Sequence, residues 1–244
     1  SYFKPVIDQM NNIRIGKNNW LLMYKTIGNH DHMVGYEDDI AAAREYMEVF
    51  GPKDYSFNRG DVHFISLDNC YCPEGGDKCQ EIITDENLEW IRQDLALVQN
   101  KAEKCVVLCV HCPFAGRVAK SERHRQIVEM LAEFNEAHIF SAHWHSTLNY
   151  IHKDFKTLGG TPVYEHICAT ACGNWWQSTC CVDGIPCGYY VCTANGNKLD
   201  SWYFKGTMLD PSYQLRVYDG GQNYAHVKDP YYPTEEYRFA TQAP

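Results

Sequence analysis

The chain has 244 residues, 45% of them hydrophobic and 22% charged, close to globular averages, which excludes a mostly disordered polymer. Its formal net charge of −9 excludes the globally basic surface that a sequence-independent nucleic-acid binder needs. No run approaches the roughly 18 consecutive apolar residues that a membrane span requires. The first residues, Ser1-Tyr2-Phe3-Lys4-Pro5, contain neither an initiator Met nor a signal-peptide apolar core, and they read as the middle of a longer gene product.

Taken in chain order, strand-like runs alternate with helical patterns over the first two thirds. Leu21 to Ile27 is a short apolar stretch ending at Gly28. Asp38 to Phe50 has helical spacing, with Ile40, Ala43, Met47 and Phe50 on one face, Asp38 or Asp39 as cap and Gly51-Pro52 as stop. Tyr55 to Arg59 and Val62 to Asp68 flank Gly60-Asp61, a hairpin signal. Thr84 to Val98 reads as a helix with Leu88, Ile91, Leu95 and Val98 inward. Cys105 to Val110 is a buried strand, Ser121 to Ala137 a helix with Ile127, Met130, Leu131 and Phe134 inward, and His138 to Ala142 a strand. After residue 146 only strands are expected: Leu148 to His152, Val163 to Thr170, Tyr189 to Thr193, Lys198 to Phe204 and Tyr213 to Tyr218, with Asn195-Gly196 as a hairpin turn. One layered α/β domain over 1–206 accounts for both halves. Residues 207–244 read as a C-terminal extension or the lead into a further domain.

Twelve cysteines are many for this length, though below the density of a disulfide scaffold. Cys105, Cys109 and Cys112 read as buried thiols, with Cys109-Val110-His111-Cys112 as a weaker C-x-x-C redox or zinc candidate. Cys70, Cys72 and Cys79 border a loop that a disulfide or ion would clip; a plain surface loop is the simpler reading. Among Cys180, Cys181, Cys187 and Cys192 a disulfide suits an oxidising compartment. Trp175, Trp176, Tyr189 and Tyr190 offer a stacking platform, but core packing is the plainer role. Arg117, Lys120, Arg123 and Arg125 form a basic patch that either meets an anionic substrate or is a solvated helix start.

Three polar clusters each follow a strand-like run: Gly28-Asn29-His30-Asp31, His111, and His143-Trp144-His145. Sites in open α/β sheets form at the carboxyl ends of strands, so neighbouring strands would bring the three together. Imidazole and amide oxygen suit Zn, Mn or Fe. His143 and His145 are two apart and in extended chain point to one side, within reach of two ions. Any one histidine alone is more readily structural, and His32, His63, His124, His138, His152, His166 and His226 are read that way; three clusters in register are not.

Gly28-Asn29-His30-Asp31, then His111 with Pro113 behind it, then Ala142-His143-Trp144-His145, resemble the last three of the five sequence blocks of the calcineurin-like metallophosphoesterase family, in order. The resemblance spans about residues 20 to 150, and Ala142 stands where the family has Gly. It implies a layered α/β/β/α sandwich, with the N-terminal strands missing here. The Asp-x-His and Gly-Asp blocks have no counterpart before residue 28, and Gly60-Asp61 lies too late in the chain to be one.

By the same resemblance, Asn29, His111 and His143 bind one divalent ion and His145 the other. The metal pair activates a bridging water for in-line attack. His30 sits beside the phosphate as charge stabiliser or proton donor, and Asp31 orients the His30 ring. The expected cofactors are two divalent ions (Mn, Zn or Fe) in the full-length protein, and one or none in this chain, where three neutral ligands would have to hold a dication. The expected partners are a phosphorylated small molecule or phosphodiester, and further domains upstream and downstream in the same polypeptide. Similar bacterial multi-domain members are often exported, which would suit the cysteines and favours an exported or periplasmic over a cytoplasmic location. A rival is a non-catalytic binding or structural module that retains the fold; another is a cysteine-based metal or redox protein built on Cys109 and Cys112.

Overall fold

The structure is a computed structural model and describes residues 3–15, 17, 19–36, 38–73, 78–171, 181 and 185–214. In chain order the elements are α1 (Lys4–Met10), β1 (Arg14–Ile15), β2 (Asn19–Trp20), α2 (Asp39–Ala42), α3 (Arg44–Phe50), β3 (Tyr55–Arg59), β4 (Val62–Ser66), α4 (Asp85–Leu97), β5 (Cys105–Cys109), α5 (Glu122–Leu131), β6 (Glu136–Ser141), β7 (Leu148–Lys156), β8 (Pro162–Ile167), β9 (Gly188–Asn195) and β10 (Lys198–Gly206).

A six-stranded sheet has the order β3-β4-β5-β6-β8-β7. Its four inner strands are parallel, and the antiparallel β3 and β7 close its edges. β5 is almost wholly buried, as a run of Cys105-Val106-Val107-Leu108 demands when both faces are covered. Alternation along the strands sorts the residues between two faces. Val106, Leu108, Ile139 and Val163 meet Leu88, Ile91 and Leu95 of α4 and Ile127, Val128 and Leu131 of α5 in the main core. Each such side chain contributes about 1.5–3 kcal/mol on burial, so this face holds most of the fold's stability. The opposite face presents Cys105 and Val107 with Phe64, Cys109 and Phe140. There the separate β9–β10 hairpin lays Trp202 against His138, Tyr164 and His166, all with ring centroids between 5.0 and 5.4 Å. A helical layer, a six-stranded sheet and a second β layer are the α/β architecture expected.

Local chemistry sets the boundaries. Gly60 turns the β3–β4 hairpin at φ 59°, and Gly196 turns β9 into β10 at φ 58°, in the left-handed region where a Cβ is disfavoured. Thr84 caps α4 by accepting from the Asn87 N–H, and Ser121 caps α5 by accepting from the His124 N–H.

Several elements differ from the sequence expectation. Leu21 to Ile27 lies in no ladder; beyond the Leu21 N–H, which donates to the Ile13 carbonyl, side chains hold it in place. The Lys25 carbonyl accepts from Tyr46 Oη at 3.1 Å and Tyr55 Oη at 2.9 Å, while Ser66 Oγ donates to Thr26 Oγ1 at 2.9 Å. The helix expected over 38–50 breaks at Ala43 into α2 and α3, which shifts the phase: Ala42, Ala43 and Tyr46 are buried and Ile40 is 60% exposed. α5 ends at Leu131, six residues before the expected end; Phe134 is buried in the turn that follows, so the apolar spacing outlasts the helix. Tyr213 and Gln214 are not in a strand, and 215–218, where that strand was expected to continue, lies outside the described residues. So do Trp175, Trp176 and Cys180.

The loop after β4 is clipped by a Cys72–Cys79 disulfide and a Tyr71–Gln80 bridge, not left as a plain surface loop. The two ends of the Cys109/Cys112 pair pack into different clusters. Cys109 faces the second β layer, and Cys112 lies with Sγ 3.3 Å from Cys70 Sγ. That divergence removes the shared position a C-x-x-C redox or zinc site needs.

Candidate active site

β4, β5 and β6 are adjacent and parallel, so the chain segments leaving their carboxyl ends lie side by side. The ladder continues into them: the Val110 N–H donates to the Phe140 carbonyl and the Ala142 N–H to the His111 carbonyl. His111 therefore rises from the centre of the sheet and His143 from the strand beside it.

Asn69, buried just after β4, locks the backbone at this point. Its Oδ1 accepts from the His111 N–H at 3.1 Å and the Cys112 N–H at 2.9 Å, and its Nδ2 donates to the Cys112 carbonyl at 2.7 Å. Glu165, fully buried on β8, holds the next residues by accepting from the Phe114 N–H and Ser141 Oγ, while its other oxygen meets His152 Nε2 at 2.9 Å. Neither residue stood out in the sequence, because both act on backbone more than 40 positions away.

The Gly28–Asp31 turn completes the group from the side. Asn29, His30 and Asp31 form one 3-10 turn. Asn29 is buried and points Oδ1 at His111 Nε2, 2.8 Å away; His143 Nδ1 lies 3.1 Å from the same nitrogen. Three donor atoms thus converge at the spacing of neighbouring ligands around an ion whose bonds are about 2.1 Å. Gly28 makes the approach possible, since a Cβ there would lie 2.8 Å from His111 Nδ1.

His30 is exposed at the mouth of this group. One Asp31 oxygen accepts from the Gly28 N–H at 2.9 Å, so this carboxylate closes the turn that carries His30. His143 and His145 come to their places by a different route from the extended chain expected: both have left-handed backbones, φ 62° and 55°, around Trp144. Such conformations cost non-glycine residues of order 1–3 kcal/mol and cluster at functional sites.

The electrostatics favour neutral imidazoles. Burial, and then the neighbouring His143, His30 and His145, push His111 down to about 3. Burial also lowers His143, with Arg117 adding to it, and lowers His145, with His143 and His30 adding. Burial raises the Asp31 carboxyl. Glu81, a residue the sequence did not single out, lies with Oε1 3.4 Å from His143 Nε2 and is ion-paired to Arg117. A carboxylate there fixes the His143 tautomer with its Nδ1 lone pair toward His111.

Of the basic patch, Arg117 pairs with Glu81, Arg123 with Asp85, and Arg125 with Glu122 and Glu129, so most of its charge is spent. His32 donates toward the buried Asp68 and Lys53 ties Asp68, Asp39 and Asp54 together; the Lys53 ammonium already supplies the cation of that cluster. Glu136 and His138 likewise bond each other, and Glu136 also accepts from the Leu199 N–H.

Comparison with protein families agrees with this geometry. The calcineurin-like phosphoesterase model matches residues 3–147, and the model for the C-terminal region of calcineurin-like phosphoesterases matches residues 165–237. The chain belongs to the calcineurin-like phosphoesterase family. Its general chemistry is the metal-dependent hydrolysis of phosphoesters, and its substrates are phosphorylated. No curated protein matches the chain. Among the described residues no helix is long and apolar enough to cross a membrane.

Proposed function

We propose that residues 1–206 form a catalytic unit that hydrolyses a phosphomonoester or phosphodiester at a two-ion centre, with 207–244 as an extension. In this reading Asn29, His111 and His143 hold one divalent ion (Mn, Zn or Fe) and His145 contributes to the second. The observation that carries it is the meeting of Asn29 Oδ1, His111 Nε2 and His143 Nδ1, from three separate stretches of chain, within 2.8 and 3.1 Å. The donor set fits the group: neutral nitrogen and amide-oxygen donors are borderline ligands that accept these metals. When bound, the ions supply Lewis acidity and an activated water nucleophile.

The chain's own residues do the rest. Asn69 keeps the His111 backbone fixed, and Glu81 keeps His143 Nδ1 unprotonated and turned inward. His30, exposed on its turn, would meet a phosphoryl oxygen and give a proton to the leaving oxygen. Asp31 holds that turn closed through the Gly28 N–H.

A binding module that keeps the fold without turnover is the second reading, favoured by the neutrality of the three donors around His111 Nε2. Elemental analysis of the purified chain, followed by hydrolysis of bis(p-nitrophenyl) phosphate with Mn²⁺ or Zn²⁺, separates the two. Hydrolysis is expected to need the ion and to fall at least about 100-fold in kcat/KM in His111→Ala, since losing even a group that only supports a metal ligand costs about 10–100-fold. Neither bound metal nor turnover with any divalent ion would leave the binding module standing.

A further inference from the structure

A cavity of about 500 Å³ opens beside the candidate centre. Its walls include Glu81, Ile82, Arg117, Lys120, His124 and Trp144. Glu81 belongs to both places, since its carboxylate also meets His143. The volume falls within the range of about 300–1,000 Å³ typical of small-molecule sites.

The chemistry of the walls is specific. Ile82 and Trp144 are large apolar side chains left 36% and 40% exposed. Arg117 is committed to Glu81 and to the Pro113 carbonyl, so its charge is neutralised within the protein. Lys120 makes no ion pair among the described residues and lies at the surface.

His124 is the unusual member. It is 2% exposed, its Nδ1 lies 2.8 Å from Ser121 Oγ, and its Nε2 has no hydrogen-bond partner among the described residues. Burial, and secondarily Arg117, hold it down to about 4, so the ring is neutral at pH 7. Ser121 Oγ accepts from the His124 backbone N–H and can either donate to Nδ1 or accept from it, so Nε2 is a buried donor in one ring tautomer and a buried acceptor in the other. A buried polar nitrogen without a partner costs about 1–3 kcal/mol, which a complementary polar group on a ligand would offset.

We propose that this cavity binds the base of a nucleoside phosphate, stacked on Trp144 and with a polar edge turned to His124 Nε2, with the phosphate at the candidate centre and Lys120 near its oxygens. The assignment rests on the phosphoesterase reading for the placement of the phosphate. A flat ring whose edge carries both donors and acceptors satisfies the apolar walls and the buried nitrogen together, whichever tautomer His124 takes. An alkyl chain would leave His124 unpaired, and a bare sugar phosphate would set hydroxyls against Ile82.

The test is calorimetric titration of the full chain with adenosine 5′-monophosphate and with ribose 5-phosphate, with and without Mn²⁺, alongside hydrolysis of both. The base-bearing ligand is expected to bind roughly tenfold or more tighter, the lower part of what one aromatic–base stack supplies. Trp144→Ala should erase that ratio, and Trp144→Phe should retain most of it, which separates loss of stacking from loss of folding. Equal affinities in the wild-type chain, or a preference untouched by Trp144→Ala, would overturn the cavity assignment even if both ligands are hydrolysed. A base-dependent, Trp144-dependent affinity without turnover under any divalent ion would keep the cavity as a nucleotide site and remove the hydrolytic reading.

Discussion

His111 and Asn29 meet at 2.8 Å, yet the chain reaches these two positions by different means. His111 leaves a strand buried on both faces, with its N–H held by Asn69 and the following residues by Glu165. Asn29 follows a stretch with no ladder, tethered through the Lys25 carbonyl to two tyrosine hydroxyls and through Thr26 Oγ1 to Ser66. The sheet-borne half of the site inherits the rigidity of the core. The loop-borne half depends on a few side-chain bonds, each worth about 1 kcal/mol. Damage to the first should therefore appear as lost folding, and damage to the second as lost alignment in a folded protein.

The largest effect is expected at Glu165. Its carboxylate is fully buried and serves the Phe114 N–H, Ser141 Oγ and His152 at once. Glu165→Ala leaves those groups without their partner inside the core, at a cost of about 3–5 kcal/mol. Urea denaturation should show the midpoint collapse. A loss under 1 kcal/mol would mean that water replaces the carboxylate and that the sheet-borne half is softer than its burial implies.

An intermediate effect is expected from the double variant Tyr46→Phe, Tyr55→Phe. It removes both hydroxyls from the Lys25 carbonyl while keeping the rings in place. Stability should fall by about 1–2 kcal/mol. The more telling readout is metal affinity, which should weaken roughly tenfold as Asn29 drifts from His111, while Glu165 variants that still fold keep theirs. If the double variant binds metal as the wild type does, the Gly28–Asp31 turn is self-sufficient and the comparison fails.

The same division explains what could be read from the sequence. β5, β6 and α4 were legible because burial imposes a period, and the polar residues after β5 and β6 were legible because strands end where apolar runs end. Leu21 to Ile27 carried the same signal without the ladder, since an apolar run reports burial and not its hydrogen-bond partner. His143 and His145 stand out as a pair, but the left-handed backbones that flank Trp144 are not encoded in their spacing. Asn69, Glu81 and Glu165 are single polar residues in otherwise ordinary contexts, and their importance exists only once β4, β5, β6 and β8 stand side by side. The loop clip was visible as cysteines near one another, but not as the Cys72–Cys79 disulfide.

The smallest effect sharpens the comparison from within the sheet-borne half. Asp94 on α4 accepts from His63 Nε2 at 2.9 Å and from Ser56 Oγ, which tie the helix to β4 and β3 on the side away from the site. Burial alone would raise this carboxyl; the His63 and Ser56 bonds outweigh it and hold it below its ordinary value. A carboxyl depressed in the folded state stabilises the protein fully above the unfolded value, about 3.9, and loses that contribution as the pH falls through the folded value. Asp94→Asn should then cost about 1 kcal/mol at pH 7, reduced from the buried limit because the group is partly solvated. The gap between variant and wild type in thermal melts should narrow below about pH 4. Metal affinity should not change at any pH, because the Asp94 bonds hold helix to sheet and reach neither Asn69 nor the Gly28 turn. A coupled loss of metal would show that the helix layer, and not only the strand ends, sets the position of His111.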